Sequence, residues 1–145
     1  MASHCPFCAV VRGVGPAHLV AESPLALAFL DQSPAADGHT LVVPRRHVES
    51  FSEVTPEEGA EVFALAARVA AVLRRVVSPG VTLHLAEGWE AGQDVPHTHL
   101  HVIPRRMDDA VTIDLPALRT PLDLAGSAAA LRAVLERPAT PGGPA

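Results

Sequence analysis

The sequence predicts an α+β domain, with an antiparallel sheet of about five strands, one long helix and one shorter helix. Three observations carry that reading. Short apolar runs of strand length recur between turn signals. One segment, Thr55 to Val77, has helical periodicity and clear end signals. Another, Val95 to Ile103, reads as a strand with histidine at alternate positions 97, 99 and 101.

The elements follow in chain order. His18 to Glu22 and Leu25 to Leu30 read as strands separated by the turn signal Ser23-Pro24. Asp31-Gln32-Ser33-Pro34 breaks the apolar run, and Asp37-Gly38 turns the chain into a third strand, Thr40 to Pro44. Pro44 cannot donate to a ladder, so it ends that strand or sits at an edge. Thr55 is an N-cap, Pro56 a first helical residue and Glu58 the return partner of a capping box. Apolar residues then recur at Val62, Leu65, Ala66, Val69, Leu73 and Val76, until Ser78-Pro79-Gly80 stops the helix. At a rise of ~1.5 Å per residue the helix exceeds roughly 30 Å. Val81 to Ala86 reads as a fourth strand, residues 87–93 as a loop with two glycines, and Val95 to Ile103 as a fifth strand closed by Pro104. Asp123 to Glu136 reads as the second helix. Residues 1–137 are expected to form a single domain, and the Pro/Gly/Ala-rich residues 138–145 a disordered tail.

Composition narrows the function. At 145 residues the chain fits one domain, with a core built from Leu, Val, Ala and four Phe. No apolar run approaches the ~20 residues of a membrane helix. The first residues lack the basic and apolar regions of a signal peptide. With only two cysteines, the chain is expected to be cytoplasmic. A net charge of −5 without a basic stripe argues against a duplex nucleic-acid binder. Cys5 and Cys8, two residues apart, leave metal binding and redox exchange as readings.

Alternation puts His97, His99 and His101 on one face of a strand, with Thr98, Leu100 and Val102 on the other, free to pack on the long helix. Neighbouring imidazoles would stand ~7 Å apart. A core does not need three of them. Imidazole binds transition metals, and it acts as nucleophile or acid–base near neutral pH. Attack on phosphorus needs one ring nitrogen held as N–H and donors around the phosphate oxygens. A row of three supplies a nucleophile in the middle with partners on both sides.

The segment His97-Thr98-His99-Leu100-His101-Val102-Ile103 resembles the His-x-His-x-His signature of the histidine triad (HIT) superfamily. Cys5 to Cys8, Ala28 to Asp31, Gly38 to His47 and Ala91 to Val95 fall in family order and spacing, so the likeness spans about residues 4 to 106. It is strongest to small bacterial members akin to nucleotide-binding phosphoramidases. The resemblance implies a HIT-like fold and a hydrolase or transferase that cleaves at the α-phosphate of nucleoside phosphoramidates, acyl nucleotides or dinucleoside polyphosphates. His99 would form a nucleotidyl-histidine intermediate and His101 would bind phosphate. Gln93 would contact phosphate or leaving group, and Asp31 the ribose hydroxyls. Phe7, Val10, Phe29 and Leu30 would wall a purine base. A homodimer is implied as well. Three positions depart from the family pattern: Asp94 stands where Ser, Thr or Glu is common, Ala86 where Asn is, and Gln32 where an apolar residue is.

Cys5 and Cys8 have the gap of half a zinc site. By resemblance His47 and His97 complete it, giving a structural Zn²⁺ held by two thiolates and two imidazoles. The alternatives are free thiols with His47 only hydrogen-bonding the triad, or His4 as a ligand. His39 reads as a residue that ties down its turn. His18 and His84 read as strand residues, Arg45, Arg46, Arg105 and Arg106 as solvated, and Trp89 carries no assignment. Two other functions compete: a nucleotide-binding regulatory protein with incidental turnover, and a zinc-stabilised interaction protein without an active site. The intact row at 97, 99 and 101 favours the enzyme over the last.

Overall fold

Five strands pair throughout in antiparallel fashion, in the order β1-β2-β3-β5-β4. The computed structural model describes residues 4–112 and 123–136, which fall into two compact units, Met1–Val111 and Thr112–Ala145. The strands are β1 (Leu19–Glu22), β2 (Ala26–Leu30), β3 (Thr40–Pro44), β4 (Gly80–His84) and β5 (Leu100–Arg105). Three helices accompany them: α1 (Pro6–Val11), α2 (Pro56–Val76) and α3 (Leu124–Leu135). No helix among the described residues is long and apolar enough to cross a membrane. The expected tail at 138–145 lies outside the described residues.

The sheet is covered on both faces, and the two faces are sorted by alternation. Ala26, Ala28, Val42, Leu100 and Val102 pack against Val62, Leu65, Ala66, Val69 and Leu73 of α2. The alanines let the long helix lie close to the sheet. The opposite side chains, Leu27, Phe29, Leu41 and Val43, form a second core with Val10, flanked by Phe7 and Val11. Burial on both sides explains why β2 and β3 read as continuous apolar runs rather than alternating ones. Gly38 feeds β3 with φ of 86°, and a Cβ there would meet Leu73 Cδ2 at 2.8 Å. Only glycine fits both the left-handed backbone and the close approach of α2.

Several elements differ from the sequence reading. The fifth strand begins at Leu100, not Val95, and runs through Pro104 to Arg105. Pro96 has no N–H, the His97 N–H bonds back to the Val95 carbonyl at 2.8 Å, and Thr98 donates to the Val48 carbonyl at 2.6 Å. Those groups are spent before the ladder starts. The fourth strand is Gly80–His84 rather than Val81 to Ala86. Helix α1 was not foreseen; at six residues it is too short for periodicity to reveal. The shorter helix at 124–135 is as expected, capped by the Asp123 carboxylate, which accepts from the Gly126 N–H at 2.9 Å.

The four arginines are engaged rather than merely solvated. Arg45 pairs with Glu22, Arg105 binds Asp109 through two nitrogens, and Arg106 reaches the Val77 carbonyl. Arg46 grips both carboxylate oxygens of Glu58 at 2.7 Å. Glu58 also closes the capping box of α2, accepting from the Thr55 N–H while Thr55 Oγ1 accepts from the Glu58 N–H. Arg46 therefore ties the end of β3 to the start of α2.

Thr55→Ala should lower stability by about 1 kcal/mol in urea unfolding, the usual worth of an N-cap. The Arg46 guanidinium holds the Glu58 carboxyl below its ordinary value of 4.5. Its contribution is therefore complete above that value and is lost as pH falls through the lower folded value. Glu58→Gln should flatten the acid limb of the stability curve over that window; an unchanged limb would remove Glu58 from the account.

Candidate functional site

The triad does not stay together as a row. His97 precedes β5, is fully buried, and turns toward the N-terminal cysteines. His99 and His101 line a cleft on the α1 side of the sheet, with ring centroids 4.9 Å apart. Phe7 stands against both His97 and His99, at 5.9 and 5.2 Å between centroids. The ~7 Å expected between neighbours along a strand thus gives way to two separate groupings, because residues 95–99 are not extended ladder.

The cleft has a volume of about 340 Å³. Phe7 and Phe29, in edge contact at 5.4 Å, form its apolar wall together with Val10 and Leu41. Asp31, Asp94, His99 and His101 bring polar groups to it. Of the residues expected to wall a base, Phe7, Val10 and Phe29 lie here, but Leu30 does not. One residue on in β2, Leu30 points to the α2 side beside Val69 and Leu73.

Hydrogen bonds fix which nitrogen of each ring carries the proton. His99 Nδ1 lies 2.7 Å from the His97 carbonyl, which can only accept. The proton is therefore on Nδ1, and Nε2 keeps its lone pair. That nitrogen lies 3.8 Å from Asp94 Oδ1. A second chain of bonds starts at the Ala35 N–H, which donates to His39 Nδ1 at 3.0 Å. A neutral His39 must then carry its proton on Nε2, which lies 2.8 Å from His101 Nδ1 and donates to it. His101 is left with its own N–H at Nε2. Burial, then the neighbouring His99 and His39, pushes His101 down to about 4. Burial likewise lowers His39, against the pull of Asp31. Both rings are neutral near pH 7. His39 does tie its turn, as expected, but it also sets the tautomer of His101, a role that sequence reasoning missed. The clue was Gly38-His39 at the start of a strand that must pair beside the triad.

Asp31, His39 and His101 present three atoms that could surround a metal ion. The 2.8 Å between the two imidazole nitrogens argues otherwise, since ligands at ~2.05 Å from a tetrahedral ion stand about 3.3 Å apart. His39 and His101 are a hydrogen-bonded pair, with Asp31 Oδ2 3.5 and 3.9 Å from their facing nitrogens.

Cys5, Cys8, His47 and His97 are different. Their four donor atoms lie within 4.8 Å of one another. Cys5 is the N-cap of α1 and Pro6 its first residue, so one helical turn brings Cys8 back beside it. Cys8 Sγ is 3.3 Å from His47 Nδ1 and 3.6 Å from His97 Nδ1, and Cys5 Sγ is 3.5 Å from His97 Nδ1. Sulfur and nitrogen on a tetrahedral zinc at 2.3 and ~2.05 Å would be about 3.6 Å apart. His97 Nε2 donates to the Pro44 carbonyl at 2.9 Å, which leaves Nδ1 bare toward the sulfurs. Burial keeps His97 neutral, as a ligand must be. It also pushes the Cys8 thiol up, helped by Cys5 beside it. Two thiolates could share this place only with a cation between them. His47 Nε2 faces Glu49 Oε1 at 3.5 Å. The donor set, spacing and tautomers fit a closed four-ligand zinc site.

Gln93 sits outside the cleft. Its amide oxygen accepts from the Gly88 N–H and its nitrogen donates to the Glu49 carbonyl, both at 2.8 Å. It faces a neighbouring recess rather than the cleft. Of the departures from the family pattern, Asp94 and Gln32 line the cleft, with Gln32 donating to the Pro16 carbonyl, while Ala86 is buried.

Comparison with known proteins agrees with this architecture. The HIT domain family model matches residues 12–108. An uncharacterized HIT-like protein of Mycoplasma genitalium is 41% identical over 104 residues, covering 71% of this chain and 74% of its own. A HIT family member from Bacillus subtilis superposes with a TM-score of 0.84 at 30% identity, over 95% of this chain and 99% of that one. A Zn-bound histidine triad family protein from Mycobacterium smegmatis is similar at TM-score 0.72 and 35% identity, over 93% and 95%. A histidine triad nucleotide-binding protein from Candida albicans matches at TM-score 0.79 and 25% identity, over 90% and 96%. With its strand order, its histidines and these relatives in agreement, the chain belongs to the histidine triad (HIT) family.

Proposed function

We propose that the protein is a nucleotide-binding hydrolase or transferase that cleaves at the α-phosphorus of a purine nucleoside phosphoramidate, acyl nucleotide or dinucleoside polyphosphate. The observation that carries this reading is His99: Nδ1–H is committed to the His97 carbonyl, so Nε2 enters the cleft as a free lone pair. Nε2 attacks phosphorus, and the bond to the leaving group breaks as the nucleotidyl-imidazole forms. Water then cleaves that intermediate and returns the pair to Nε2. His101 donates its Nε2–H to a phosphate oxygen, with Nδ1 held by His39. Asp31 accepts from ribose hydroxyls, and Phe7, Phe29 and Val10 hold the base. Gln93 braces the loop that carries Asp94. The nucleotide-binding relative supports the ligand class.

In the same reading Cys5, Cys8, His47 and His97 hold one structural Zn²⁺, supported by the fit of the donor set and by the Zn-bound relative. With four protein ligands it leaves no open position for chemistry and instead fixes His97. A reducing cytoplasm would keep both thiols available. The protein also acts as a homodimer. Phe63, Val72 and Val76 of α2 and Leu83 on edge strand β4 are exposed apolar side chains, the kind of surface a second copy would cover.

Three outcomes test this reading. Elemental analysis of protein purified without chelator should find about one zinc per chain, and Cys5→Ser or Cys8→Ser should lose it together with thermal stability. Metal-free protein of unchanged melting temperature would refute the site. Light scattering should give twice the chain mass; a monomer at micromolar concentration would remove the dimer. His99→Ala and His99→Asn should abolish turnover while nucleotide binding persists, and rapid quench of the wild type with α-labelled substrate should leave acid-labile, base-stable label on the protein. His101→Ala should lose about 10²–10³ in rate, the worth of one oxyanion donor. Near-wild-type turnover by His99→Ala would withdraw the enzyme assignment.

A further inference from the structure

We propose that Asp94 selects the leaving group, favouring departure of an amine from a nucleoside 5′-phosphoramidate over departure of an anionic phosphate chain. The inference rests on the function proposed above and narrows its substrate class.

The placement of Asp94 is the main observation. Its Oδ1 stands 3.8 Å from His99 Nε2, the nitrogen that bears the free pair. A carboxylate this close to the attacking nitrogen lies within Coulombic reach of the groups on the phosphorus, the leaving group opposite Nε2 included. The loop that presents it is held on both sides: the Gln93 amide bridges the Gly88 N–H and the Glu49 carbonyl, immediately before Asp94 in the chain. The carboxylate makes no hydrogen bond among the described residues, and it is mostly exposed. It belongs to two cavities at once, closing one side of the nucleotide cleft and opening on the recess beside it. That recess, about 540 Å³, is walled by Glu49, Glu53, Glu87 and Trp89, with no basic side chain among its described lining.

Charge decides between the candidate leaving groups. A phosphoramidate reacts when its bridging nitrogen is protonated. His99 Nε2 forms the new bond to phosphorus as the P–N bond breaks. The pair of that bond returns to nitrogen, and a neutral amine departs. The carboxylate of Asp94 pairs with the cationic nitrogen before and during that step. In a dinucleoside polyphosphate the bond that breaks is P–O, and its pair leaves on a phosphate oxygen that gains negative charge. Asp94 then faces a like charge in a recess already acidic. Unit charges ~4 Å apart near a protein surface change a rate by about ten-fold or more.

The test compares kcat/KM for two substrates, an adenosine 5′-phosphoramidate of a diamine and diadenosine tetraphosphate, in wild type and in Asp94→Asn, Asp94→Ser and Asp94→Glu. Asp94→Asn and Asp94→Ser should slow the phosphoramidate and speed the dinucleotide, moving the ratio by about ten-fold or more toward the dinucleotide. Asp94→Glu should keep the wild-type preference, and added salt should narrow the gap between wild type and Asp94→Asn. If the wild type cleaves both substrates and the ratio moves less than about two-fold in Asp94→Asn and Asp94→Ser, the leaving-group assignment is wrong and the enzyme reading stands. If the wild type cleaves neither, or His99→Ala cleaves as well as it does, the underlying reading fails and takes this inference with it.

Discussion

The buried residue His97 fixes both halves of the site. Its ring spans from the Pro44 carbonyl at the end of β3 to the sulfurs of Cys5 and Cys8 on the N-terminal segment. Its backbone carbonyl accepts from His99 Nδ1. One residue therefore anchors α1 to the sheet and decides which nitrogen of the neighbouring imidazole is free. Helix α1 carries Phe7 and Val10 into the second core, so losing the anchor would open the wall of the cleft as well as the cysteine cluster. A six-residue helix has little stability of its own. Tertiary ties must hold it, and the ring of His97 is central among them.

The cysteines pose a problem that their surroundings make worse. Both are buried, and burial, with Cys5 beside it, pushes the Cys8 thiol up. A fold gains little from placing two cysteines and two histidines together as neutral groups, since thiol hydrogen bonds are weak. The arrangement becomes favourable when a divalent cation replaces the thiol protons, and metal binding then contributes directly to folding. The ring of His97 is already oriented for that exchange, because its other nitrogen is spent on Pro44.

Much of this was legible in the sequence because local rules and the global fold agree. Thr55, Pro56 and Glu58 write the start of α2, and its apolar stripe faces the sheet as periodicity demands. The alternation of Leu100 and Val102 against His101 holds because those residues are ladder. The ladder stops short of His97 and His99, where Pro96 and the bond from Thr98 to Val48 keep the chain out of the sheet, and only His97 leaves the cleft that His99 and His101 share. Proline in a presumed strand was the available warning. Gln93 lies in the right segment, but a side-chain amide's partners are set by loop geometry that no spacing rule encodes. His39 was read for its local turn, because the partner that gives it a wider role lies 62 residues away.

The charge pattern of the cleft constrains how it can handle phosphate. Among the described residues that line it none is lysine or arginine, and two are aspartates. The four arginines nearest in sequence to the site strands are bound elsewhere, to Glu22, Glu58, Asp109 and the Val77 carbonyl. On the proposed function phosphate would be met by neutral N–H donors, and the burial that holds His101 near 4 would keep it such a donor across the physiological range. This is a weak way to bind a resting anion. On the proposed function it would become strong once His99 attacked, because the ring would then carry positive charge, with its Nδ1–H on the His97 carbonyl and phosphorus on Nε2. On that reading the counter-charge would appear only along the reaction path, beside the oxygens that need it. Binding that grows as the bond forms accelerates the chemical step, whereas a permanent cation would have tightened substrate and transition state together.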